Sequence, residues 1–264
     1  MGTATIQGQL WGTHARDWAA YGEQICLPLH GAALDAGHVT TGTRLLDAGC
    51  GAGLLALLAS LRGAHVSAID AAVPLLAVVR ERVPAADVRE GDLEALPFDD
   101  ASFDAVTAVN SIFYAADMAM AMRELARVVR PGGRVVITAW GPPERCEVLT
   151  DLFSAVAPLM PPPPPGNPPA HPGALSQPGE LAGVLQRAGL RVVDEGEAAC
   201  PIVFPNAEIS WRAHRSAGPN QLAIAHSGEA AVRAVFADVD RTHTRPDGTI
   251  RYENVFLWAA GKRM

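Results

Sequence analysis

Lysine is nearly absent from this chain: of its 21 basic residues only Lys262 is not an arginine. A Walker-type phosphate loop needs Gly-Lys-Ser/Thr after a strand, and a Schiff-base enzyme needs a lysine in a pocket, so both mechanisms are excluded. Cysteine is sparse as well. Cys26, Cys50, Cys146 and Cys200 form no close pair and no Cys/His cluster at zinc spacing, which reads as reduced thiols and no metal site. Long apolar runs are lacking: Leu54–Leu61 and Ala71–Val79 fall well short of the ~18 residues that cross a bilayer, so no membrane span is expected. Met1 to Trp18 has no basic patch followed by an apolar stretch, unlike a signal peptide, and the expected compartment is the cytoplasm. A basic excess is missing too. The formal net charge is −7, which argues against a phosphate-neutralising surface and hence against nucleic acid as the partner.

What is present is the composition of an ordinary globular protein. With 264 residues, 49% hydrophobic and 19% charged, the chain can bury a large core, and a single α/β domain with an insertion or cap is expected. Residues 44–50 form a short apolar run that breaks at a glycine cluster, as a buried parallel strand does. Leu54, Leu57, Leu58 and Leu61 follow at i, i+3, i+4 and i+7, which predicts a helix burying that leucine face, with Gly63 just past its end. The alternation repeats: strands at 65–70, 87–92 and 103–110, helices at 73–83 and 117–129, and a strand at 134–140 after Pro131-Gly132-Gly133. Strands alternating with helices imply a parallel sheet covered on both faces. After Trp140 the pattern changes. Residues 158–178 hold ten of the 21 prolines and read as an extended surface loop with no helix or strand longer than one turn. A helix over 178–188, a strand at 190–193, helical pattern over 206–242 and a last strand at 255–260 complete the reading.

The glycine cluster, Asp47-Ala48-Gly49-Cys50-Gly51-Ala52-Gly53, lies between a strand and a helix, where glycine lets backbone approach a ligand closely. Its Gly-x-Gly-x-Gly spacing differs from the Gly-x-Gly-x-x-Gly of dinucleotide enzymes, and an aspartate stands two residues before the first glycine. A ligand without phosphate at this turn is suggested, with Asp47 able to accept from an ammonium group. Asp70 ends the second strand, where an acid can accept from ribose hydroxyls. Asp92 and Leu93 end the third, suited to an adenine amino group and a ring nitrogen. Asn110 and Ser111 end the fourth, so all these residues fall on one carboxyl edge.

These segments, with Glu94-Ala95-Leu96-Pro97-Phe98, Ser102-Phe103-Asp104 and the stretch from Leu125 through Arg130-Pro131-Gly132-Gly133, resemble the class I S-adenosylmethionine-dependent methyltransferases, most nearly their small-molecule branch. The resemblance is strong over about residues 40–140 and looser at Trp11–Trp18 and Tyr252–Ala260. It implies a doubly wound Rossmann-like α/β fold, seven strands with the last antiparallel, and S-adenosyl-L-methionine as cofactor. The implied cofactor residues are Asp47, Gly49, Gly51, Gly53, Asp70, Ala71, Asp92, Leu93, Asn110 and Ser111. Asn110-Ser111-Ile112-Phe113 departs from the Asp/Asn-Pro-Pro-Tyr/Phe of base-amino methyltransferases, which again disfavours nucleic acid.

The expected organisation is one domain over 1–264, with a helical cover at 1–38, a cofactor core at 40–140, the proline-rich loop at 158–178 and a helical lid at 206–242. Phe113, Trp140 and Trp211 are candidate apolar walls for the acceptor. Among the histidines, His14, His171 and His214 lie in segments able to cover a pocket, and His14 is the candidate base, needed only if the acceptor must lose a proton. The expected reaction is methyl transfer to a small, mostly apolar metabolite by a monomer or homodimer. A cyclase, isomerase or binding protein using the same cofactor is the alternative, and a nicotinamide oxidoreductase a weaker one.

Overall fold

The computed structural model describes residues 3–162, 172–177 and 179–264. The chain opens with helices α1 (Ala4–Gly12), α2 (Ala15–Asp17) and α3 (Leu27–Ala36), the last two joined by a π-helical turn at Trp18–Gly22 and a 3₁₀ turn at Glu23–Cys26. The alternation follows as β1 (Arg44–Ala48), α4 (Leu54–Leu61), β2 (His65–Asp70), α5 (Val73–Arg82), β3 (Asp87–Glu90), β4 (Phe103–Ala108), α6 (Met118–Val128) and β5 (Val129–Trp140). Next come α7 (Ser154–Val156), α8 (Glu180–Arg187), β6 (Leu190–Ala199) and β7 (Ile202–Phe204). Three helices, α9 (Ala207–Arg215), α10 (Gly218–Ser227) and α11 (Glu229–His243), precede β8 (Ile250–Tyr252) and β9 (Val255–Arg263).

Seven strands form one sheet in the order β3-β2-β1-β4-β5-β9-β6. The first five are parallel, as the sequence predicts, and β9 runs antiparallel between β5 and β6. Alternate residues of β1 serve opposite faces. Leu45 packs with α3 and α4, beside Ala105 and Val136. Leu46 faces the other way, into the core shared with Val106, Ile137 and helices α6 and α8. The order reverses beside β1, the position at which open α/β sheets leave a crevice at the strands' carboxyl ends.

The predicted leucine face of α4 is a correction. Leu55, Ala56 and Ala59 are buried, Leu54, Leu57 and Leu58 are half-buried, and Leu61 is 76% exposed. Small alanines, which let the helix lie close to the strands, set the contact, and the longer leucines flank it. The expectation of an irregular 158–178 segment falls, over 163–171 and at 178, outside the described residues. On either side the chain makes 3₁₀ turns at Ala157–Leu159 and Pro172–Leu175. The two-stranded sheet of β7 and β8 was not expected, because three-residue strands leave too short an alternation to read.

Candidate active site

A cavity of about 210 Å³ lies over the carboxyl ends of all five parallel strands. Its floor begins where β1 stops. Gly49 (φ +74°), Gly51 (φ +55°) and Gly53 (φ +85°) all take left-handed backbone conformations. At Gly49 a Cβ would also lie 2.3 Å from that of Ser111, so only glycine fits. Asp70 braces this loop from the end of β2: one carboxylate oxygen accepts from the Gly51 N–H at 2.9 Å and the other from the Ala72 N–H at 2.9 Å. Ser111 donates to the Ala48 carbonyl at 2.7 Å, and Asn110, at φ +50°, exchanges hydrogen bonds with the Thr138 hydroxyl.

The electrostatics of this end are one-sided. Asp47 is buried; its Oδ1 accepts from Thr107 at 3.3 Å while its Oδ2 has no partner. Burial pushes the Asp47 carboxyl up to about 7, helped by the neighbouring charges of Asp70 and Glu23 and opposed by the Thr107 hydroxyl. Glu23 reaches the same cavity from the N-terminal cover. Burial also raises its carboxyl, although it is ion-paired with Arg82. Arg82 in turn donates to the Ala52 and Ala19 carbonyls at 2.9 and 2.8 Å, fastening the cover to the glycine loop. Of these three acids only Glu23 is paired with a guanidinium, and one buried oxygen, Oδ2 of Asp47, is left without a donor. A cationic ligand bearing N–H groups fits this end, and S-adenosylmethionine, with an ammonium and a sulfonium, meets the requirement; Asp47, Glu23 and the Gly49–Gly51 turn are the residues that would meet it.

The other end is apolar. Phe113, Trp140, Val148, Phe153 and Phe204 line it, with Trp140 packed on Phe256 at 4.4 Å and edge-on to Phe153 at 6.2 Å. Helices α9 and α10 close it through Ala213, His214, Ala217 and Asn220, while Trp18 covers the glycine turn, its Nε1 3.3 Å from where a Cβ at Gly51 would lie, and Trp11 packs edge-on to it at 4.8 Å. The cover and lid are latched together at the buried Asp17, whose Oδ2 accepts from Arg215 at 2.7 Å and whose Oδ1 accepts from Arg212 at 2.5 Å.

Of the residues singled out in the sequence, Asp47, Gly49, Gly51, Asp70, Ala71, Asp92, Leu93, Asn110, Ser111, Phe113 and Trp140 line this one cavity. Three others lie elsewhere. Gly53 caps α4, where a Cβ would press on Val79 at 3.0 Å. Trp211 is buried in the lid's own core, edge-on to Phe236 at 5.8 Å. His14 follows the break after α1 and sits within the field of Arg215, Asp17 and Glu229 at the latch; burial, then Arg215, lowers its pKa. His171 lies outside the described residues. Glu23, His30 and Phe204 line the cavity without having been anticipated, and His214, not His14, is the histidine that the lid brings there. An acid or histidine within a helical stretch carries no local mark of the cavity it will face; the helical period of 206–215 shows which residues share a side but not what that side covers.

Residues 46–137 match the family described as a methyltransferase domain. An uncharacterized protein of Mycobacterium tuberculosis is 34% identical over 169 residues, 62% of this chain and 60% of that protein. A demethylmenaquinone methyltransferase of Thermus thermophilus is 44% identical over 108 residues, 39% of this chain and 49% of that protein. The matches therefore span about half to three-fifths of these relatives' length. The [4+2]-cyclase SpnF shares the fold over 98% of this chain and 97% of its own, with a TM-score of 0.62 and 20% identity. The sheet order and the glycine turn agree with the family match, which places a class I S-adenosylmethionine-dependent methyltransferase domain over residues 46–137.

Proposed function

We propose that this protein transfers a methyl group from S-adenosylmethionine to a small, mostly apolar molecule held between the sheet edge and the lid. The observation that carries this is one cavity with two chemically distinct ends, an acidic one at the glycine turn and an aromatic one beneath α9 and α10. Asp47 and Glu23 hold the amino-acid part by charge, Asp70 the ribose, and Asp92 and Leu93 the adenine. Asn110 and Ser111 fix the shape of the turn between the two ends. The cofactor supplies a methyl group already activated on a sulfonium, whose charge disperses during in-line displacement. The chain therefore has to align the acceptor and exclude water rather than provide a nucleophile. Trp140, Phe113 and Phe204 do the first, and the latched cover and lid do the second.

A second reading keeps the donor site and drops the transfer, since the fold neighbour named above is a cyclase. Incubation with methyl-labelled S-adenosylmethionine and an accepted substrate separates the two. Methyl transfer yields one S-adenosylhomocysteine per labelled product. Product formed with no S-adenosylhomocysteine would establish the cyclase or isomerase reading instead.

A further inference from the structure

The charge inventory of the cavity restricts what can enter its aromatic end. Among the described lining residues are four carboxylates, Glu23, Asp47, Asp70 and Asp92, and no arginine or lysine. An anionic acceptor would thus find no counter-charge. Two imidazoles line the same cavity, His30 on α3 and His214 on α9, 8% and 9% exposed. His214 stacks on Phe236 at 5.0 Å and meets Phe204 edge-on at 5.2 Å, so its ring is held by packing alone. His30 Nδ1 and His214 Nε2 have no hydrogen-bond partner, and no described residue bonds to either ring. Burial lowers the two imidazoles to about 4 and about 3, which keeps both neutral at physiological pH. Buried polar groups are rarely left unpaired, and those that are point to a missing partner.

We propose that His30 and His214 form the subsite that reads an uncharged hydroxyl on an otherwise apolar acceptor, and that anionic acceptors are rejected. A hydroxyl both donates and accepts, so it satisfies a neutral imidazole in either tautomer. The inference rests on the methyl-acceptor reading of the aromatic end and makes His30 and His214 positioning residues for it.

Equilibrium dialysis of the full chain saturated with S-adenosylhomocysteine, using 2-naphthol, naphthalene and 2-naphthoate as probes, tests this. The expected result is that 2-naphthol binds roughly tenfold tighter than either of the others. His214→Phe and His30→Leu should each remove most of that preference while leaving S-adenosylhomocysteine affinity unchanged, which also shows that the variants fold; His214→Gln should restore part of it. The proposal is overturned if 2-naphthol and naphthalene behave alike, including binding by neither, if 2-naphthoate binds tightest, or if the variants weaken naphthalene as much as 2-naphthol. Failure of S-adenosylhomocysteine itself to bind would overturn the cofactor assignment first, and is read separately before any probe is added.

Discussion

Asp47 concentrates the electrostatics of the cavity's acidic end in one side chain. A carboxyl whose folded pKa is raised binds its proton more readily in the folded than in the unfolded chain. Between the unfolded value of 3.8 and about 7 the ligand-free protein therefore loses stability as pH rises. Above 7 the full cost, roughly 4 kcal/mol at ~1.36 kcal/mol per unit, is present. Asp47→Asn should raise the melting temperature at pH 8 and flatten its fall between pH 5 and 7. It should also weaken S-adenosylmethionine about tenfold or more, by loss of a charge-assisted hydrogen bond. Melting curves across pH and calorimetry check both; an Asn variant less stable at pH 8 with unchanged affinity would contradict the role. The turn glycines and strand-end acids were legible because local rules govern them: positive φ asks for glycine, and a strand's end fixes where its acid lies. Glu23 and His30 were not, and His214 was legible only as one of three histidines in covering segments, because their place depends on how the helices at 4–36 and 207–243 fold back over the sheet.

Among the elements, α4 shows how periodicity misleads when nearly every residue is apolar. Leucines at i, i+3, i+4 and i+7 mark a face, yet Ala56 and Ala59 with Leu55 make the contact, and Leu61 is left in solvent. The helical pattern over 206–242 was legible because Val232, Val235, Phe236 and Val239 recur at i, i+3, i+4 and i+7; in the structure α9 is capped by Asn206, whose side chain accepts from the Ile209 N–H at 3.0 Å. This helix meets the N-terminal ones at Asp17, which pairs with Arg212 and Arg215. Asp17→Ala leaves Arg212 and Arg215 without their shared carboxylate and should cost about 1–3 kcal/mol, since the acid is buried but the arginines are partly solvated. Hydrogen exchange of amides in α9 and α10 should accelerate while those of β1 and β4 stay protected. Uniform acceleration across the sheet would mean that the latch supports the whole fold rather than the lid.

Taken as one molecule, the chain sets the carboxyl ends of five parallel strands beneath two latched helical covers, and puts acids at one end of the resulting cavity and aromatic rings at the other. The parallel core was legible from alternating strand and helix patterns; the antiparallel placement of β9 came through the family resemblance, since a lone apolar run does not reveal its direction. Calorimetric titration of the full chain with S-adenosylmethionine, and separately with NADH, tests the central claim most directly. One S-adenosylmethionine should bind per chain, with NADH weak or silent because the cavity's acidic end repels a pyrophosphate. Absence of S-adenosylmethionine binding, or tighter binding of NADH, would contradict the account.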